Sequence, residues 1–187
     1  MKLTIANDVY LYLKEQRKEI KKLVEQKTAL EERRNSGNYG QDYVQNHIVP
    51  AIGEIRFQIA RKKDLALVEV RSMVDKEKAA IKELNVIRGE DLTEDAKLFN
   101  CGVKLTEKDI DRIIQRNRDN YTMVQLAIKY AKDNGIQVNH VVDNHSHELD
   151  MCENQYETAS LYLDHWVDNV QGDTILNKFY GVSEEGN

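Results

Sequence analysis

A single proline among 187 residues leaves the chain almost without the residue that most firmly stops a helix. Aromatic residues are scarce too, at 7%, and with 32% charged residues this composition suits long helices better than a compact core built on large rings. No run of eighteen apolar residues occurs, and the first eight residues lack the apolar centre of a signal segment. The chain is therefore expected to have no membrane partner and to stay in the cytoplasm where it is made. An excess of basic charge is missing: 27 Lys and Arg against 32 Asp and Glu give a net charge of −5, so wholesale nucleic-acid binding has no electrostatic basis. The cysteines, Cys101 and Cys152, have no C-x-x-C spacing and stand in apolar surroundings, which predicts buried, reduced thiols. Also missing are the glycine-rich phosphate loop, the G-x-G-x-x-G fingerprint, the G-x-S-x-G elbow and H-E-x-x-H. No catalytic residue and no cofactor are expected.

What the chain does have is helical rhythm. From Tyr43 to Arg88, Ile48, Ile52, Ile55, Ile59, Ala66, Val70, Met73, Ala80 or Ile81, and Leu84 follow a heptad spacing, which predicts a long helix burying one stripe and ending at Gly89. Pro50 lies in its first turns and either opens the helix or kinks it; a kink or break is the preferred reading, with the regular part starting at Ala51. Ahead of it, a first helix is predicted from Asn7 or Asp8 to Arg34, with Val9, Leu13, Ile20, Leu23, Val24 and Leu30 on its apolar face and Gln16 and Lys27 breaking the seam. Asn35 to Asp42 is rich in turn formers, so the two helices should fold back as an antiparallel hairpin. On the first helix, Lys14, Arg17, Lys18, Lys21 and Lys22 read as a solvated outer face interleaved with glutamates.

Residues 90–136 change character. Asp91 to Gly102 reads as a short helix capped by Asp91 or Thr93. Thr106 and Asp109 form a capping box, stapled by Leu105 and Ile110, and a further helix runs from Asn120 to Asn134-Gly135 with Ile136 placed for a Schellman contact. The last segment restores the heptad: His145, Leu149, Cys152, Tyr156, Ala159, Leu163, Trp166 and Val170 form a seam over a helix from Asp143 to Gln171, ended by Gly172. Asp173 would cap a final helix to Tyr180, with Ser183 to Asn187 frayed. These eight seam residues are the predicted helical interface. They either lie along the hairpin, giving a three-helix bundle, or meet another copy of the chain.

Two constellations carry ligand-capable residues. His140, Asp143, His145, His147, Glu148, Asp150, Cys152 and Glu153 cluster, and Glu148 with Cys152 has the one-turn spacing that helix-borne metal ligands need, with His145 close to it. His145 and Cys152 read as seam residues and the rest as a solvated face, and no H-E-x-x-H or E-x-x-H signature is present, so no metal site is assigned. Thr106 to Asn134 could form a helix-turn-helix, with Arg112, Arg116, Arg118, Lys129 and Lys132 as candidate nucleic-acid contacts and Tyr121-Thr122 at the reading end of its second helix. The turn lacks glycine and that helix is mostly apolar, so a packing module is the preferred reading.

The stretches Asp91-Leu92-Thr93, Gly102 to Asp109, Asn117 to Met123 and Tyr130 to Ile136 resemble helical proteins of phages and prophages in Gram-positive bacteria. The resemblance implies a phage protein of the host-cell cytoplasm or the virion, acting in or beside virion assembly; it brings no site residues. Together these readings predict an all-α fold: an elongated antiparallel helical hairpin or coiled-coil bundle over residues 1–89, a small helical subdomain over 90–136, and a C-terminal helix over 137–187. The expected function is a non-enzymatic structural or assembly protein, of scaffold or adaptor type, whose partners are proteins: a second copy or a phage or host protein. A regulatory binder of a host protein and a DNA-binding module at 106–134 are the alternatives.

Overall fold

The computed structural model describes residues 5–138 and 145–181, and every regular element among them is helical. The chain divides into two compact units, Met1–Glu77 with Asp150–Asn187, and Lys78–Leu149.

In the first unit α1, Ile5–Asn35, buries Ile5, Val9, Tyr10, Leu13, Arg17 and Ile20. Ser36 ends it by donating its hydroxyl to the Arg33 carbonyl, and Gly37 takes a left-handed φ of +73° that costs a side-chain-bearing residue more. After this turn helix runs without a break for 44 residues, as α2 (Gln41–Tyr43), a π turn (Val44–Ile48) and α3 (Val49–Leu84). The expected break at Pro50 does not occur. Proline has no N–H to give to the carbonyl four residues back and its ring crowds that carbonyl; the wide π turn immediately ahead of it takes up the misfit. Arg56 with Glu31 (3.1 Å) and Lys62 with Glu19 (3.7 Å) pair rising numbers on α3 with falling ones on α1, so the helices are antiparallel.

The buried residues of α3 are Ile52, Ile59, Ala66, Val70, Val74 and Ile81, with Ile48 in the π turn. Met73 is half-buried and Leu84 and Ala80 are exposed, contrary to a strict heptad. A straight helix of 3.6 residues per turn drifts by about 20° per heptad, so after three repeats the next residue along takes the inward position. The helix also stops at Leu84, four residues short of Arg88. The β-branched pair Val86-Ile87 favours extended backbone, and the Arg88 N–H is given instead to the Thr122 hydroxyl at 3.0 Å.

α6, Ser146–His165, from Asp150 onward, and α7, Gly172–Phe179, complete the first unit. α6 is six residues shorter at its end than the predicted seam. Its last turn widens, the Tyr162 carbonyl accepting from both Trp166 N (2.9 Å) and Val167 N (3.0 Å). Asp143 and residues 183–187 lie outside the described residues.

The second unit is built around α4, Glu107–Arg116, and α5, Tyr121–Asp133. Ile110, Ile113, Ile114, Met123, Ala127 and Ala131 form its buried cluster, with Leu105 packed against it as the staple requires. Thr106 and Asp109 make the reciprocal capping box. At the far end of α5 the Ile136 N–H reaches the Ala131 carbonyl (2.9 Å) and Gly135 that of Lys132 (3.3 Å), which is the Schellman pattern around Gly135. The short helix expected over Asp91–Gly102 is instead two 3₁₀ turns, Gly89–Asp91 and Glu94–Phe99, separated by extended Leu92 and Thr93. Cys101 beyond them is exposed, not buried, because no helix presents it to an apolar face; Cys152 is buried.

The Thr106 hydroxyl and N–H both donate to Asp109 and hold its carboxyl below the usual carboxylate range. A depressed folded value means that this stabilisation is complete above the ordinary carboxylate range and is lost as pH falls through the lowered one. Thr106→Ala should cost about 1 kcal/mol in urea unfolding at pH 7, and the difference from wild type should shrink in acid.

Candidate functional site

The eight predicted seam residues separate into three groups. Cys152, Ala159 and Leu163 are fully buried, Tyr156 and Trp166 are half-buried in the same unit, and His145 and Leu149 are half-buried in the other. Within the first unit α6 is tied to α3 by Arg71 with Glu153 (2.7 Å), the segment after α6 is tied to α3 by Lys63 with Asp168 (3.1 Å), and the Arg71 guanidinium lies over the Tyr156 ring at 4.7 Å. These side chains are filled by the chain itself. Val170 is no seam residue: beyond the end of α6 it is 96% exposed, and Val167, one turn earlier, is the buried one.

The most enclosed charged group is Arg17, which the sequence pattern assigned to an outer face. It is 3% exposed. Its two terminal nitrogens donate to the carbonyls of Val167 and Asn169, the second at 2.5 Å, and Nε lies 3.5 Å from Asp173 Oδ1. Those carbonyls belong to the corner between α6 and α7, where the Asn169 carbonyl also accepts from the Gly172 N–H at 3.0 Å. Arg17 therefore caps that corner from α1. Gly172 is required beside it, since a Cβ there would meet the Trp166 carbonyl at 2.5 Å and Arg17 Cζ at 2.7 Å. A signal was present in the sequence: Arg17 stands four residues after Leu13 and three before Ile20, on the apolar stripe. Next to this corner the Tyr162 ring is fully buried and its hydroxyl has no hydrogen-bond partner among the described residues; Tyr180, whose ring stands 5.8 Å from Tyr10, has a hydroxyl in the same condition. Burial pushes both phenols well above their ordinary value.

The residues considered for nucleic-acid contact are scattered in role. Arg116 pairs with Asp95 at 3.0 Å and Arg118 with Asp119 at 3.4 Å, while Arg112, Lys129 and Lys132 are exposed. Thr122, placed at the reading end of α5, is buried at 2% exposure and its hydroxyl receives the Arg88 N–H. It has no surface to offer a base. Asn117, at the α4–α5 corner, is likewise an internal tie: its amide donates to Asp95 and to the Ile113 carbonyl, both at 2.9 Å, and its oxygen accepts from Thr93. An open cleft of about 620 Å³ lies beside it, lined by Leu98, Val103, Leu105 and Ile113 with Asp109, Arg112, Gln115 and Arg116.

Of the histidine-rich cluster, His140 and Asp143 lie outside the described residues. His145 Nδ1 stands 3.5 Å from Glu148 Oε1. Among the described residues no three of His, Cys, Asp and Glu come together as a metal would need.

The surface that stands out is the outward face of α3. Opposite its buried stripe, Phe57, Leu65 and Val68 are 62%, 58% and 66% exposed, and the alanine at 60 is exposed as well. Phe57 and Val68 are eleven residues apart, close to three full turns, and so lie one above the other on the helix. Comparison with protein-family models, with curated proteins and with solved structures finds no match to this chain.

Two measurements check the Arg17 corner. Arg17→Ala should destabilise the protein by about 2 to 4 kcal/mol, because it strands the buried Val167 carbonyl and empties the space the side chain fills, and Gly172→Ala by about 1 to 3 kcal/mol through overpacking. Because the folded phenols are raised, their stabilisation is complete below the unfolded tyrosine value near 10 and is lost as pH climbs above it. Tyr162→Phe should therefore flatten the alkaline limb of a stability-against-pH curve, and at neutral pH add about 1 kcal/mol by removing an unpartnered hydroxyl.

Proposed function

We propose that the chain is a non-enzymatic helical assembly protein of a phage, of scaffold or adaptor type, which acts by docking other proteins. The observation that carries this reading is the outward apolar line of α3, Phe57, Leu65 and Val68. Large apolar side chains at helical spacing, on a face whose opposite side already fills the core, are what a helix-to-helix interface requires. The resemblance of residues 91–136 to phage and prophage proteins supplies the setting. Assembly proteins of this kind need reversible contacts instead of reacting groups, and α3 offers apolar area with charges beside it that set orientation.

Tagged chain recovered from cells carrying the phage should co-purify with a protein of the virion, and Phe57→Asp should remove that protein while leaving the helical circular dichroism spectrum unchanged. Recovery with a host enzyme and no virion protein would replace the assembly role by that of a host-directed binder. Recovery with neither would sink the proposal.

A further inference from the structure

The outward face of α3 carries a second heptad, independent of the buried one. Starting at Pro50, steps of four and three pass through Glu54, Phe57, Arg61, Asp64 and Val68, and then through Arg71 and Asp75. Apart from Arg71, which is half-buried, all of these are exposed. Read from either end the series has a mirrored character. Two helices laid antiparallel, with their midpoints between Lys62 and Lys63, oppose every residue to the one whose number completes 125. That places Phe57 against Val68 of the other helix, Arg61 against its Asp64, and Glu54 against its Arg71. Beside the seam, Ala60 faces the larger Leu65 and Gln58 faces Leu67, so small meets large on one flank and apolar meets amphipathic on the other.

We propose that α3 pairs antiparallel with the α3 of a second copy of this chain, about a two-fold axis passing between Lys62 and Lys63. The partner is identified by charge. A second α3 running the opposite way meets Glu54, Arg61, Asp64 and Arg71 each with an opposite charge in this register, and sets Asp75 against the uncharged Pro50. A parallel pair would set Arg61 on Arg61 and Asp64 on Asp64. Sliding the antiparallel pair by one heptad in one direction sets Glu54 on Asp64, and in the other Arg61 on Arg71, so like charges meet in both. The contact is isologous and closes on itself, as two-fold dimers do. Over Pro50 to Asp75 it spans about 39 Å of helix. Its selective layers are the four at the centre, since Arg71 is already engaged by Glu153 at 2.7 Å and Asp75 at 3.4 Å. The inference rests on the assembly reading and names one of its partners.

The test is a charge exchange in the full chain, followed by sedimentation velocity across a concentration series. Wild type should dimerise. Arg61→Asp alone and Asp64→Arg alone should each weaken the dimer about tenfold or more, because each places two like-charged pairs at the centre of the contact. The two changes combined in one chain should restore it to within about threefold of wild type, since the carboxylate now at position 61 of each copy then meets the guanidinium now at position 64 of the other. Phe57→Asp should abolish it; all three positions are exposed, and an unchanged circular dichroism spectrum checks that the helices persist. A chain that stays monomeric at every concentration, or a dimer indifferent to the single reversals, or one that the double exchange fails to restore, overturns the proposal. A monomer that still retains a virion protein would remove this inference and leave the assembly role; a dimer that meets the charge-exchange criteria but binds no virion protein would do the reverse.

Discussion

The guanidinium of Arg17 takes the carbonyls of Val167 and Asn169, 150 and 152 residues further along the chain, and most of what holds the first unit closed follows from that contact. Taking a charge out of water costs several kcal/mol, a loss offset here by two carbonyls of the segment beyond α6 and by the Asp173 carboxylate 3.5 Å from Nε, although Nε itself makes no hydrogen bond among the described residues. The same contact explains three neighbours. Gly172 must lack a side chain for the corner to approach Arg17, α6 must stop near His165 so that its carbonyls turn toward α1, and Tyr10 can then donate to Asn177 on α7 at 2.9 Å. The second unit reaches a similar end through a neutral side chain, Asn117, whose amide donates to the Asp95 carboxylate and the Ile113 carbonyl and whose oxygen accepts from Thr93. A neutral tie is less costly to bury, and there it joins elements close in sequence.

α3 is the element on which two demands meet. One side supplies the core of the first unit in an ordinary alternation of three and four. The other side keeps Phe57, Leu65 and Val68 in water, where they stabilise nothing in the single chain. Charged residues between them prevent this face from being a mere extension of the core. This division of α3 into a buried side and an exposed, charge-patterned side is the feature on which the proposed docking rests.

Part of the local chemistry was legible in the sequence, though not the 3₁₀ turns that stand in place of a helix over Asp91–Gly102 or the π turn ahead of Pro50. The all-α class, the capping box at Thr106 and Asp109 and the Schellman turn at Gly135 each depend on residues within one or two turns of each other, so spacing alone determines them. What else escaped was set by distant parts of the chain. Arg17 looked like part of a basic surface because its partners lie in another helix, and Val170 looked like a seam residue because nothing in its own neighbourhood shows that α6 has already ended. Val74 replaced Met73 for a third reason, geometric drift, which a strict seven-residue count ignores. Thr122 shows the cost of reading a motif by position: a residue at a helix start can equally serve the segment before it, as its bond to Arg88 does.

The long separation between Arg17 and its partners has a consequence for synthesis. At about 5 to 20 residues per second, roughly 4 to 18 seconds pass between the ribosome's completing α3 at Leu84 and its reaching Asp173. Throughout that interval α1 is without α7, against which it packs in the finished unit, and the Arg17 guanidinium is without its carbonyl partners. The second unit, whose ties are all short-range, can close in the meantime. The order of folding is thus written into the order of translation, and the first part of the molecule to be made is among the last to be finished.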